Sequence, residues 1–103
     1  AVTGETRSAA MPDVPTLAEQ GYKGFSALAW WGIFAPAGTP QPIIDKLNAE
    51  IAKILRTPEI NKQLTGTMGM DIKASSPAVL QKWTESELQR WAKVIKDNNI
   101  RPD

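Results

Sequence analysis

The sequence predicts an α/β chain with few strands and three to four helices. Three observations carry that prediction. Strand-like and helix-like patterns alternate along the 103 residues, as they do in chains that build a parallel or mixed sheet. The stretch 24–35 is apolar on both of its alternating faces, which suits a strand covered on both sides. Three Ser/Thr-then-Pro pairs, at Thr39 and Pro40, Thr57 and Pro58, and Ser76 and Pro77, have the order of a helix N-cap followed by its first residue.

Ala1, Val2 and Thr3 read as the end of a strand. Pro12 and Pro15 then hold the backbone extended. Thr16 and Glu19 are spaced as a capping box, in which each side chain can bond the other's amide, and Gly21 can end the short helix they start. In the strand at 24–35, Phe25, Ala27, Ala29, Trp31, Ile33 and Ala35 share one face. Leu28, Trp30 and Phe34 share the other, broken by Ser26 and Gly32. Gly32 beside two tryptophans marks a bend or a close approach of the backbone.

Beyond Pro40, residues Ile44, Leu47, Ile51, Ile54 and Leu55 recur at helical spacing. A short second helix starts at Pro58 and runs toward Gly66, meeting the first at a corner. Residues 71–74 read as a short strand. The last helix starts at Pro77 and ends near Asn98, with Leu80, Trp83, Leu88, Trp91, Val94 and Ile95 on one broad face.

Composition excludes more than it assigns. With 12 basic and 11 acidic residues the net charge is +1, too little for the basic footprint that nucleic acid requires. Cys and His are absent. That removes disulfides, thiol nucleophiles, Ser-His-Asp triads and Cys/His metal sites. No cofactor or metal is expected. No apolar run reaches the roughly 20 residues of a membrane span. The chain opens without a charged-then-apolar leader, as a mature secreted chain also would.

Few residues are candidates for a site. Trp30 and Trp31 point to opposite faces of an extended strand, so one can wall a cleft while the other packs inward; the plainer alternative is two packed tryptophans. Glu87 falls near the middle of the apolar face of the last helix. A carboxylate buried there needs hydrogen-bond donors, such as backbone amides, a Trp N–H or Arg90. Its expected role is structural, with no second acid placed beside it for catalysis. Lys46, Glu50, Lys53 and Arg56 form the solvated side of an amphipathic helix more simply than a binding face. Thr39, Ser75 and Ser76 are better explained as caps than as an anion site. Arg7 and Lys23 read as ordinary surface charge, or as steering groups for anions.

The motifs also resemble a known family. Pro12, Asp13, Val14, Pro15, Thr16, Glu19 and Gly21 look like the "PDVPTxxExG" segment of the Bug/TctC-type periplasmic solute-binding receptors of tripartite tricarboxylate transporters. The run 31–40, from Trp31 through Gly32 and Phe34 to Gly38, Thr39 and Pro40, is similar to their "WxGxFAPAGTP". Leu47, Asn48, Glu50 and Ile51 resemble their "LNxEI". Ser76, Pro77, Glu87, Arg90, Trp91, Val94, Ile95 and Lys96 resemble the closing "sPxxf…ExxRWxxVIK". The order and spacing match over essentially the whole chain.

The resemblance implies the C-terminal fragment of a two-lobed, type II periplasmic binding protein. Residues 1–26 would be the tail of the second lobe, 27–35 a strand crossing between lobes, and 36–103 the C-terminal part of the first lobe. Trp30, Trp31 and Gly32 would then lie at the cleft or hinge. The implied activity is capture of a small carboxylate-bearing organic acid in the periplasm, for membrane transporter subunits, with no enzymatic step. The loops that choose the ligand would lie outside this chain. A small enzyme subunit using Glu87 or Glu19, and an interaction module using the 44–55 helix face, are the alternatives. Alone, such a chain is expected to self-associate through its uncovered apolar strand and helix, with Trp30 or Trp31 at the interface.

Overall fold

The computed structural model describes residues 1–101. It contains α1 (Gln41–Arg56), α2 (Pro58–Lys62), a π-helical turn (Gln63–Thr67) that continues from α2, and α3 (Pro77–Asp97). The last residues of the final helix, near Asn98, and the corner at Thr57 fall where the sequence places them.

The strands do not form. Among the described residues the only ladder contact is one parallel bridge between Val2 and Thr16. It is made by Val2 N–H to the Pro15 carbonyl at 2.9 Å and Leu17 N–H to the Val2 carbonyl at 3.0 Å. Residues 26–36 run without a turn or bend, but the one backbone hydrogen bond their N–H groups make is Ala27 N–H to the Thr3 carbonyl at 2.9 Å, with no bridge formed there. Residues 71–74 likewise lack a partner strand. The reason is physical. A helix closes its hydrogen bonds within itself, whereas a strand exists only when a neighbour accepts its N–H groups.

The start signals also need correction in detail. The Thr16–Glu19 capping box closes, with Glu19 N–H donating to Thr16 Oγ1 at 3.1 Å and Thr16 N–H to Glu19 Oε1 at 3.3 Å. The box opens a turn rather than a helix, and Gly21 ends that turn at φ +101°. Pro40, not Thr39, stands at the N-cap position of α1, which no side chain caps; the Thr39 hydroxyl donates back to the Pro36 carbonyl at 2.8 Å. Thr57 does precede α2, but its hydroxyl donates to the Ile54 carbonyl at 2.7 Å and caps no amide. Ser76 alone caps as expected, accepting from Val79 N–H at 3.4 Å.

Packing is thin. No apolar side chain is buried among the described residues, and the one fully buried side chain is Thr16. The Cα radius of gyration is 16.6 Å, against about 13 Å for a compact chain of this length. On α1, Ile44, Ile51 and Leu55 are half-buried, while Leu47 and Ile54 stay exposed. Asn48 reaches from α1 to the Ser75 carbonyl at 2.9 Å and ties α1 to the start of α3.

Candidate functional site

The most organised cluster lies where the extended stretch 24–34 crosses α3. Three contacts define its course. Arg90 Nη1 donates to the Ser26 carbonyl. Trp30 lines a groove with Thr84, Glu87, Leu88 and Trp91. Gly32 sits so close to α3 that a Cβ there would lie 3.3 Å from Leu80 Cδ1, and 2.9 Å from the Phe34 ring. As the stretch advances its contacts move back along α3, so the two run antiparallel.

Glu87 is at the centre. It is 6% exposed. Trp91 Nε1 donates to its Oε2 at 3.0 Å, and Arg90 Nη2 lies 2.9 Å from Oε2 and 2.7 Å from Oε1. The Arg90 guanidinium also stands 5.0 Å from the centroid of the Trp91 ring. Burial alone pushes the Glu87 carboxyl up; the hydrogen bonds from Arg90 and Trp91, the Arg90 charge and the nearby Trp30 indole outweigh it and hold the group below its ordinary value. The donors are side chains, with no backbone amide among them.

The groove on the Trp30 side has a volume of about 420 Å³. Its wall is apolar apart from Thr84 and Glu87, and no Lys or Arg lines it. Its one carboxylate is already held by Arg90 and Trp91. The groove therefore offers an organic acid no cation, and it offers hydrolytic chemistry no second acid. No group of three carboxylates that could hold a metal ion occurs among the described residues.

The remaining candidates lie apart. Trp31 is 74% exposed and Trp30 half-buried. Lys46, Glu50, Lys53 and Arg56 are all exposed, with Lys53 and Glu50 paired at 2.7 Å. Lys23 is exposed. Arg7 is not a free steering charge: its Nε and Nη2 grip Glu19 at 3.0 and 2.5 Å, and its Nη1 donates to the Pro12 carbonyl at 3.1 Å. That grip, rather than the capping amide, is the larger cause that lowers the Glu19 carboxyl to about 2. Neither the Arg7–Glu19 pair nor the Arg90–Ser26 bond is visible in the sequence. Both join residues far apart in it, and no periodic pattern carries such information.

The model of the tripartite tricarboxylate transporter family receptor matches residues 1–100. The chain belongs to this family. A relative from Pseudomonas sp. (strain P51), the UPF0065 protein in the tcbD-tcbE intergenic region, is 41% identical over 100 residues, covering 96% of this chain and 30% of its own length. Protein BugT of Bordetella pertussis is 32% identical over 101 residues, covering 98% of this chain and 31% of its own. The solved structure of the periplasmic binding protein BugD superposes on all of this chain and on 35% of its own, with a TM-score of 0.79 and 32% identity. This receptor-family chain thus spans about a third of the length of these relatives.

Proposed function

We propose that this chain belongs to an extracytoplasmic solute-binding receptor that captures a small carboxylate-bearing organic acid in the periplasm and presents it to the membrane subunits of a tripartite tricarboxylate-type transporter. The family match over residues 1–100 carries this reading, and the whole-chain likeness to BugD supports it. On this reading 1–26 is the tail of the second lobe, 27–35 crosses between lobes and 36–103 completes the first. Trp30, Trp31 and Gly32 lie at the cleft or hinge, with Trp31 as the outward indole, and Glu87 is structural. The protein performs no chemistry on its ligand.

The commitment of Arg7 to Glu19 and of Arg90 to Glu87 supports a further point. The anion-binding groups lie in the longer relatives' additional chain rather than here. Calorimetric titration tests both statements together. A full-length receptor carrying this sequence as its last third should bind one of citrate, succinate or glutamate, while the 103-residue chain should bind none. Micromolar binding by the short chain would move the site onto these residues. Failure of the long protein to bind any carboxylate would remove the organic-acid reading.

A further inference from the structure

A strand that is apolar on both faces has an ambiguity built into its sequence. Side chains alternate with a period of two, so a slip of one residue exchanges the inner and outer faces. Over 24–34 the exchange costs little hydrophobic burial, because Trp30 and Trp31 would simply change places. Hydrophobic patterning therefore cannot choose the register in which this stretch lies on α3, and the backbone adds a single bond, Ala27 N–H to the Thr3 carbonyl, which is made away from α3.

The geometry points to Glu87 as the positioning residue that fixes this register, acting through Arg90, so that Trp30 turns toward α3 and Trp31 turns outward. Arg90 holds two things at once. Its Nη2 sits on the Glu87 carboxylate at 2.7 and 2.9 Å, and its Nη1 donates to the Ser26 carbonyl. Held by Glu87, the guanidinium reaches the stretch at the Ser26 carbonyl. Four residues on, Trp30 lies beside the same carboxylate. Two further on, Gly32 passes close to Leu80, where a Cβ would lie 3.3 Å from Leu80 Cδ1.

The lengths agree. From Ser26 to Gly32 an extended chain advances about 20 Å, and from Arg90 back to Leu80 a helix advances about 15 Å. A stretch slanted across the helix meets all three points. In the slipped register the residue beside Glu87 would be Ala29 or Trp31. The carbonyl facing Arg90 would then belong to a neighbour of Ser26 and point the other way, and the half-buried guanidinium on the buried Glu87 carboxylate would lose its bond to the stretch. The inference concerns the order of residues on α3 and does not depend on the nature of the ligand.

The test compares the two indoles. Trp30→Phe and Trp31→Phe each leave three of the four tryptophans, with Trp83 and Trp91 in common, so the difference between them reads Trp31 against Trp30. Solvent exposure is read as acrylamide quenching of fluorescence at nanomolar concentration, where sedimentation shows monomer. The chain that keeps Trp31 should be quenched clearly more than the chain that keeps Trp30. Equal quenching overturns the proposal before any further variant is made. With Glu87→Gln added, which keeps size but loses the ion pair, or Arg90→Lys, which keeps the charge but loses the fork, the two quenching constants should converge. The α3 circular dichroism should be retained. A variant that merely melts earlier, with Trp31 still outward and Trp30 still inward, shows Glu87 to be ordinary packing and overturns the assignment.

Discussion

At the scale of single residues, this chain spends its charges on short-range ties. Arg7 and Glu19 are the clearest case, because the pair closes a loop across eleven intervening residues and shares Glu19 with the capping box. In the folded state the hydrogen bonds from Arg7 hold the Glu19 carboxyl down to about 2, against 4.5 for the free group. A lowered folded value means that the tie contributes fully above the free value and is lost as the pH falls through the folded one. The 7–19 loop should therefore hold at neutral pH, weaken from about 4.5 downward and be released near 2. A carboxyl-carbon NMR titration checks this. In Arg7→Ala the Glu19 midpoint should move back up toward 4.5, and an unchanged midpoint would assign the shift to the turn amides instead. The pair is exposed, so its effect on overall stability is small.

At the scale of elements, the three helix-start signals look alike in sequence and act differently in the structure. Only the Ser76 side chain accepts an amide proton at a helix start; Thr39 and Thr57 donate to carbonyls behind them. Ser76→Ala should thus cost about 1 kcal/mol and shorten α3 by fraying its first turn. Thr39→Ala and Thr57→Ala should each stay within about 0.5 kcal/mol. Helicity followed by circular dichroism through a urea series separates the three. Equal losses would mean that the hydroxyls act through something other than the amide.

The same contrast explains what could be read in advance. Helices carry their own hydrogen bonds, so Ile44, Ile51 and Leu55 on α1, and Leu80 and Val94 on α3, announce them by spacing alone. The capping box at Thr16 and Glu19 is equally local and equally legible. The apolar alternation of 24–35 is real, but a strand is a property of two chains side by side, and no partner for it lies among the described residues. Glu87 stands out in the sequence as a polar residue on an apolar face. That Arg90 would pass its charge on to Ser26, 64 residues away, leaves no trace in spacing.

At the scale of the whole molecule, the decisive fact is where the apolar surface goes. Trp31, Ile33 and Phe34 are 74%, 72% and 62% exposed, in consecutive or near-consecutive positions beyond Ala27, where the N–H groups of the stretch bond to no other segment among the described residues. On α3, Leu88 and Ile95 are exposed as well. Contiguous patches beyond a few hundred Å² are uncommon on soluble monomers, and an open strand edge invites another strand. Relatives such as BugT are matched over only 31% of their length. Taken alone, the 103-residue chain is predicted to associate at micromolar concentration, with the 28–35 stretch at the contact. Sedimentation equilibrium should then return more than the monomer mass of 11.3 kDa. Trp31→Asp, which places a charge on the most exposed position of the strip, should shift the assembly toward monomer at least ten-fold in dissociation constant. Amide hydrogen exchange locates the contact independently, since the N–H groups of Trp31 and Ile33 should be protected in the assembly and open in the dilute monomer. A stable 11.3 kDa monomer with those amides exchanging freely would overturn the prediction, and would show that helix faces this exposed can be tolerated without cover.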